Sequence, residues 1–426
     1  MSLKEQRIGI DQVKVGLYIH LDTWMDHPFL FNSFKIRSEK QIQVLRSLGL
    51  KDVLYVAAKS DGAPLPPSQA TKPTTPPESE IDPEIQAMWQ EKEKRRKIIS
   101  KQREAYCRCE RQFVATVSSV KGMLRNLFAR PQETVEQAQT LIGNLVDSLL
   151  AEKDVLIHLM NVKNTEEGTY YHSLNVTMLS LMLARQAGLK QAEMCELGLG
   201  ALLHDIGKEK IPTQILLKKT PWNAAETNFY KQHVAYGLEL SEKLPDLPQG
   251  AIDIIAQHHE MLDGSGYPAG LAGDRIGKLA RIVAIANAFD NACNRINPAD
   301  SLTPAHALSV MFKKERNKYD AELLQHFVRC LGVYPPGSIV LLSNEAIALV
   351  VSVNPGNLLC PSLLLYDPTV PKEEALLFNL ADEPDLSVVK TLKPGQLPKP
   401  VFDYLNPRIR ISYFSESNKR PPSSGN

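Results

Sequence analysis

Five of the ten histidines in the chain lie in four short patterns within one helical stretch. The patterns are YYHSLNV, LLHDIGKEKIP, YKQHVAYG and HHEMLDGSGYP, and their histidines are His172, His204, His233, His258 and His259. Imidazole nitrogens and carboxylate oxygens form a ligand set that iron, manganese and zinc accept. Helices that carry such residues can bring them together in a bundle core and hold two metals there. The patterns therefore favour a helical metal-binding domain.

Each pattern taken alone also has an ordinary structural explanation. A single histidine on an apolar helix, such as His172 or His233, is more often a core residue or a satisfied surface group than a ligand. The pair His204 and Asp205 is more specific, because it follows the apolar run LGALL and places two ligand types where a buried helix ends. The presence of all four patterns in one domain makes a shared site the favoured interpretation.

The hydrophobic pattern divides the chain into several parts and predicts a multidomain, mainly α protein. Residues 1–60 contain the predicted strands VKVGLYIHL and DVLYVA around a helical SEKQIQVLRSLGL, which together form a small α+β module. An amphipathic helix is predicted from Thr134 to Met160. The remaining divisions are a Pro-, Ser- and Thr-rich linker (61–83), a helical connector (84–145), the helical domain (146–334), a small β-rich appendage (335–412) and a disordered tail (413–426).

Charge and hydropathy argue against two classes of partner. The chain carries 49 basic and 48 acidic residues, and this balance does not support a broad nucleic-acid footprint. No stretch of the sequence is long and apolar enough to cross a bilayer, and the first residues lack the apolar region of a secretory signal. We therefore expect a cytoplasmic protein that binds no nucleic-acid polymer and does not span a membrane.

The segments HDIGK, HHE and DGSGYP together resemble the motifs of the HD-GYP domain, a branch of the HD phosphohydrolase superfamily. The resemblance covers about Tyr170 to Gly332. The module and Pro-rich linker before it are similar to a domain of unknown function that precedes such enzymes in bacteria. The resemblance implies an HD-type helical bundle and a phosphodiesterase that opens the bacterial second messenger cyclic di-GMP to pGpG. Some members of the family continue to GMP.

The resemblance also implies roles for individual residues. Asp205 would bridge two divalent metals, iron or manganese, and Asp205 and Lys208 would be catalytic. Two metals would neutralise the phosphodiester and turn a bridging water into the attacking hydroxide. Lys208 would place a positive charge on a phosphate oxygen. The implied metal ligands are His172, His204, Asp205, His233, His258 and His259.

The DGSGYP loop has two open interpretations. Its glycines, Gly264 and Gly266, permit turn geometry that a Cβ atom would block, and Pro268 stiffens the exit. The loop would then bring Tyr267 and backbone N–H groups to the substrate. Alternatively, it shapes the rim of the site or binds a protein partner, for example a GGDEF-type protein.

The chain departs from the family at two positions. In AIANAFDNACNR, Asn287 stands where the family has an aspartate ligand, so we expect an uncharged amide oxygen there and weaker metal affinity. Asp290, the second acid of that pattern, is predicted to contact the substrate. Gly168 stands where some members carry a glutamate that binds a third metal, which favours a dinuclear site.

Asn287 keeps a second functional hypothesis open. The chain would then be a catalytically weak or inactive receptor, which binds cyclic di-GMP or a partner protein without hydrolysis. The otherwise intact set of histidines, together with Asp205 and Lys208, favours the enzyme.

Overall fold

The computed structural model describes residues 5–21, 27–29, 32–67, 83–151, 157–161, 168–297, 300–354, 356–368, 370–372, 375–405 and 411–415. The chain divides into two compact units. One contains residues 1–103 and 367–376, and the other contains residues 104–366 and 377–426. Residues 68–82 of the predicted linker and 416–426 of the predicted tail lie outside the described residues.

The first unit is built on an antiparallel four-stranded sheet. Its strands are β1 (Glu5–Gly9), β2 (Tyr18–His20), β3 (Ser33–Lys35) and β4 (Asp52–Val56), in the order β1-β4-β2-β3. Helix α1 (Glu39–Ser47) follows β3, and the side chain of Ser38 caps its first turn. Ile42 and Leu45 of this helix are buried in one core with Ile19 of β2. These elements confirm the predicted small α+β module.

The second unit is mainly helical. The division between the units falls within helix α2 (Pro83–Asn126). The further helices are α3 (Pro131–Ala151), α4 (Gly168–Gln186), α5 (Gln191–Leu203), α6 (Thr213–Leu216), α7 (Ala224–Lys231), α8 (His233–Ser241), α9 (Gln249–Gln257), α10 (Lys278–Cys293), α11 (Pro304–Lys313), α12 (Ala321–Leu331) and α13 (Lys399–Leu405). Among the helices of the described residues, none is long and apolar enough to cross a membrane.

Helix α4 lies at the centre of this unit. Every residue from Tyr171 to Ala184 is buried, so the helix is covered on all sides. It packs against α5, α10 and α12. Polar side chains within it, such as His172 and Asn175, must therefore find partners inside the protein.

A second sheet confirms the predicted β-rich C-terminal part. Its strands are β5 (Ile157–Asn161), β6 (Ile339–Leu342), β7 (Ile347–Ser352), β8 (Ser362–Leu365), β9 (Leu377–Asn379), β10 (Val388–Leu392) and β11 (Ile411–Ser415). The order is β10-β6-β7-β5-β11, and β8 pairs with both β7 and β9. All the strand pairs are antiparallel.

The structure corrects the helix predicted from Thr134 to Met160. Helix α3 ends at Ala151, and strand β5 begins at Ile157 and pairs with β7 and β11. A short apolar run fits helical and strand periodicity almost equally well, and pairing with strands distant in sequence decides its state. The predicted division between residues 145 and 146 also falls inside α3. Because α3 shares its core with α4 and α5, we place the start of the helical unit at Glu104.

Gly207, in the HDIGK pattern, lies where a 3₁₀ turn (Ile206–Lys210) closely approaches α8. A Cβ atom on Gly207 would stand 1.9 Å from the carbonyl oxygen of His233 and 2.5 Å from the backbone nitrogen of Gly237. Both of these atoms belong to the backbone of α8, so neither can move without the helix. Any larger residue at position 207 would therefore push the turn and α8 apart.

We predict that Gly207→Ala lowers the free energy of unfolding by about 3 kcal/mol, because it overpacks a backbone contact. Gly143→Ala in α3 is the matched control, since no atom lies within 4 Å of its new Cβ. The control should raise the free energy of unfolding by about 0.5–1 kcal/mol, because alanine favours the helix. Chemical denaturation measures both variants, and equal small effects would contradict the close contact.

Candidate metal centre

Asp205 is the buried acid around which the histidines gather. Helix α5 is buried at every residue from Leu197 to Leu203. Because the helix ends at Leu203, His204 and Asp205 follow it into the interior, with exposed fractions of 0% and 4%. An apolar helix thus places two polar side chains in the interior, where each needs a partner.

The two carboxylate oxygens of Asp205 face different histidines. Oδ2 lies 3.3 Å from Nε2 of His172 and 3.2 Å from Nε2 of His204. Oδ1 lies 3.5 Å from Nε2 of His233 and 3.8 Å from Nε2 of His258. The carboxylate therefore stands between two pairs of imidazole rings.

Two groups of possible metal ligands share Asp205. One group contains His172, His204 and Asp205, and the other contains Asp205, His233, His258 and His259. Within each group the ligand atoms all lie within 4.8 Å of one another. The structure thus brings together six of the seven predicted metal ligands, and a carboxylate placed in this way can bridge two metals.

Two buried atoms of this centre have no hydrogen-bond partner among the described residues. They are Oδ1 of Asp205 and Nε2 of His259. Leaving a buried polar atom unsatisfied costs about 1–3 kcal/mol, and native proteins rarely do so. A divalent transition metal would satisfy both atoms, and the set of imidazole nitrogens with one carboxylate suits such a metal.

Backbone carbonyls orient three of the imidazole rings. Nδ1 donates to a carbonyl oxygen earlier in the chain in each case: His204 to Ala201 at 2.7 Å, His233 to Tyr230 at 2.7 Å and His258 to Ile255 at 3.0 Å. A carbonyl oxygen can only accept, so the ring proton belongs on Nδ1. The lone pair then stays on Nε2, which is the nitrogen that faces Asp205.

Burial favours the protonation states that bind metal. It lowers the pKa of His233 to about 4. Burial and the neighbouring imidazoles hold the pKa values of His258 and His259 well below their ordinary value. Burial opposes the charge of Asp205, but His204 and Lys208 outweigh it and hold the pKa of that carboxyl well below its usual range. The neutral imidazoles of His233, His258 and His259 beside an ionised carboxylate are ready to coordinate a cation.

Lys208 stands at the edge of the centre, one turn after Asp205. Its ammonium group forms an ion pair with Oδ2 of Asp205, and its side chain is 16% exposed. The ammonium nitrogen lies 5.4 Å from the ring centre of Tyr230. Burial alone would lower the pKa of Lys208, but Asp205 and Tyr230 raise it above its ordinary value. Lys208 therefore keeps its positive charge at neutral pH.

Glu260, the acid of the HHE pattern, forms hydrogen bonds with the loop that follows the histidine pair. Glu260 is buried, with only 2% of the residue exposed. Its two carboxylate oxygens accept hydrogen bonds from the backbone N–H groups of Ala269, at 2.7 Å, and Leu271, at 2.9 Å. The loop therefore closes back on the residue next to His259.

The DGSGYP loop packs directly on His259. The ring of Tyr267 stacks on the imidazole with 4.5 Å between ring centres. A Cβ atom on Gly266 would lie 2.5 Å from the carbonyl oxygen of His259, so only glycine fits this approach. Gly264 has a φ of 77°, and Pro268 follows a cis peptide bond. Gly266 and Tyr267 therefore lie directly against His259, and the substrate contacts of all four loop residues stay a prediction.

Asn287 and Asp290 both lie on α10, and neither belongs to the two ligand groups. Asn287 is 4% exposed, and its Oδ1 accepts a hydrogen bond from Asn291 at 2.6 Å. Its role as a ligand stays a prediction. Asp290 is 2% exposed, and its Oδ2 lies 2.5 Å from Nδ1 of His172. The substrate contact predicted for Asp290 stays a prediction, and in the structure its carboxylate lies against His172, on the ring nitrogen opposite Asp205.

Sequence reasoning missed three neighbours of the centre, Asn175, Tyr230 and Glu260. Asn175 follows His172 by three residues, a spacing that shares a helical face. Tyr230 precedes His233 by three residues, and Glu260 directly follows His259. Their spacing from the predicted histidine ligands therefore indicates in each case that the residue lies near the centre.

The fold and the centre together define a helical domain with a buried histidine–aspartate site suited to metals. Residues 144–323 match the HD domain family, and residues 5–138 match a domain of unknown function, DUF3391. The helical part of this chain is therefore similar to the HD domain family over residues 144–323. The family matches confirm the resemblance drawn from the motifs.

Named relatives cover the chain to different extents. Cyclic di-GMP phosphodiesterase PA4108 of Pseudomonas aeruginosa is 28% identical over 366 residues, which are 85% of this chain and 85% of that protein. The 3'3'-cGAMP-specific phosphodiesterase 2 of Vibrio cholerae is 38% identical over 151 residues, which are 35% of this chain and 29% of that protein. A solved structure described as Bd1817, a HDG"Y"P protein from Bdellovibrio bacteriovorus, is 17% identical with a TM-score of 0.42 and matches 76% of this chain and 98% of its own.

The buried histidines predict how the stability of the metal-free chain depends on pH. The pKa of His233 is about 4 in the folded chain, whereas an unfolded histidine has a pKa of about 6.5. Between these values the unfolded chain binds more protons, so the free energy of unfolding falls as the pH falls. His233 alone would account for about 3 kcal/mol, and His258 and His259 act in the same direction. His172 acts against them: burial lowers its pKa, but hydrogen bonds to Asp205 and Asp290 raise it overall.

Thermal melts of the metal-free chain between pH 7 and pH 4 test this dependence. His233→Gln should flatten the loss of stability, because the residue that resists protonation is gone. The exposed His306 offers a control, and His306→Gln should keep the wild-type slope. A wild-type chain whose stability does not fall over this range would contradict the account.

Proposed function

We propose that this chain is a metal-dependent phosphodiesterase that hydrolyses cyclic di-GMP to pGpG. The observation that carries the proposal is the buried Asp205, which directs one oxygen toward each of two ligand groups. The substrate is supported by the Pseudomonas relative, which is named a cyclic di-GMP phosphodiesterase and matches 85% of this chain.

The residues of the centre suit phosphodiester hydrolysis. When bound, two divalent metals would neutralise the phosphate and lower the pKa of a water molecule. Asp205 and the five histidines would hold these metals in place. Lys208 keeps its charge beside them and would stabilise negative charge that develops on a phosphate oxygen. Hydrolysis adds water across one P–O bond of the ring and leaves a terminal phosphate and a free hydroxyl.

We propose iron or manganese as the metal and two ions per chain. The proposal is supported by a ligand set of five imidazoles and one carboxylate, which both metals accept, and by the two groups that share Asp205. Asn287 would contribute its amide oxygen, which has two lone pairs and accepts a hydrogen bond from Asn291.

The DGSGYP loop is proposed as the rim at which the dinucleotide or a protein partner is recognised. Tyr267 covers His259, and the ammonium nitrogen of the exposed Lys231 lies 5.0 Å from the ring centre of Tyr267. A cation beside an aromatic ring suits an anionic ligand with flat bases. The same surface suits an acidic protein segment, such as one from a GGDEF-type protein.

A second candidate function is binding of cyclic di-GMP without hydrolysis. The specific observation in its favour is Asn287, which brings no negative charge to the region and already bonds to Asn291. The two candidates differ in whether metal-loaded protein turns over the dinucleotide.

Anaerobic purification, metal analysis and product identification test the proposal. The wild-type chain should hold close to two metals and convert cyclic di-GMP to pGpG. Asp205→Ala should lower turnover by more than about 100-fold, because both ligand groups lose their shared oxygen donor. Asp147→Asn removes an exposed carboxylate on α3 and should leave turnover unchanged.

Parallel assays with 3'3'-cGAMP decide which cyclic dinucleotide is preferred, because the Vibrio relative is named for that substrate. Faster turnover of 3'3'-cGAMP would replace the proposed substrate. Metal-loaded protein that binds cyclic di-GMP but leaves it intact would support the receptor instead.

A further inference from the structure

Asp290 holds a position that the proposed reaction does not explain by itself. Its carboxylate on α10 meets His172 on α4, and the two side chains are 3% and 10% exposed. Oδ2 of Asp290 lies 2.5 Å from Nδ1 of His172. We propose that Asp290 is a positioning residue that makes His172 a strong ligand for one of the two metals and does not touch the substrate. This inference rests on the proposed metal-dependent function.

The second carboxylate oxygen of Asp290 is also engaged. Oδ1 accepts a hydrogen bond from Asn175, three residues after His172 on α4. It accepts another from Asn294, at 2.7 Å, just after the end of α10. An ionised carboxylate only accepts hydrogen bonds, and here three donors from two segments converge on it. The carboxylate is therefore fixed in orientation and cannot turn toward a bound dinucleotide.

This contact fixes which nitrogen of His172 can bind metal. Because Nδ1 donates its proton to Asp290, the lone pair stays on Nε2. Nε2 is the atom that lies 3.3 Å from Oδ2 of Asp205 and 3.3 Å from Nε2 of His204. The hydrogen bond to Asp290 thus aims the lone pair of His172 at the first ligand group.

His172 differs in this respect from three other rings of the centre. His204, His233 and His258 each donate Nδ1 to a neutral backbone carbonyl. A carboxylate partner makes the imidazole a more basic ligand than a carbonyl partner does, and loss of such a partner typically weakens metal binding about 10–100-fold. Within the described residues, the hydrogen bonds of Asp290 join it to His172, Asn175 and Asn294, and none joins it to His233, His258 or His259. The effect should therefore be confined to one metal.

The test is a Mn²⁺ titration of the full chain, in which electron paramagnetic resonance measures free Mn²⁺. Wild-type protein should bind two ions. Asp290→Asn keeps the size of the side chain but removes its charge, and it should weaken one ion about 10–100-fold and leave the other unchanged. His172→Gln should weaken the same ion, and His259→Gln should weaken the other one. Asp147→Asn, on the surface of α3, should bind both ions as the wild type does.

Three results would overturn the proposal. Asp290→Asn could bind both ions normally, could lose both to the same extent, or could keep both while its KM for cyclic di-GMP rises, as a substrate contact would require. If Asp290→Asn does not fold, Asn175→Ala replaces it. That change removes one hydrogen-bond donor to the carboxylate of Asp290 and leaves His172 intact. It should weaken the same single ion several-fold, and unchanged binding of both ions would contradict the proposal.

The result also separates this inference from the proposed function. A wild-type chain that binds two ions but leaves cyclic di-GMP intact would refute the phosphodiesterase. The selective loss of one ion in Asp290→Asn would still establish Asp290 as a positioning residue in that case.

Discussion

The carboxylate of Asp205 lies in the interior with 4% of the residue exposed, yet its pKa stays well below the usual range. An ionised group in such a place is unfavourable unless positive charge and hydrogen-bond donors surround it. Lys208 supplies one charge to Oδ2, whereas Oδ1 has no hydrogen-bond partner within the described part of the chain. The imidazoles that face Oδ1 are held neutral by burial, so they present lone pairs rather than charge. Bound cations between the rings and the carboxylate would resolve this imbalance.

Other residues of the helical unit hold the carboxylate of Asp205 and the surrounding histidines in position. Gly207 lets the turn after Asp205 lie against α8, which begins with His233. Two further buried acids, Asp290 and Glu260, form hydrogen bonds beside the two ligand groups. Asp290 orients His172, and Glu260 ties the loop that carries Tyr267 to the residues after α9. Asp290 and Glu260 accept hydrogen bonds from different donors, which gives each a separate structural task.

Much of this could be predicted from the sequence, because the signals were local. The histidine patterns, Asp205 and Lys208 are recognisable by type and spacing, and the division into an α+β module, a helical domain and a β-rich part follows hydrophobic periodicity. Strand β5 was not predictable in this way, because its state depends on pairing with β7 and β11 at the far end of the chain. The direction of the Asp290 side chain could not be predicted from the sequence either. It depends on how α10 packs against α4, and residues 172 and 290 are too distant in sequence for spacing to relate them.

We propose that the carboxylate of Asp205 would join two metals in one centre. Electron paramagnetic resonance of protein loaded with two equivalents of Mn²⁺ tests it most directly, because ions bridged by one carboxylate are magnetically coupled. We predict that the six-line signal of isolated Mn²⁺ is replaced by a coupled spectrum, and that Asp205→Ala does not show it. Two bound ions that both give the isolated signal would contradict the account.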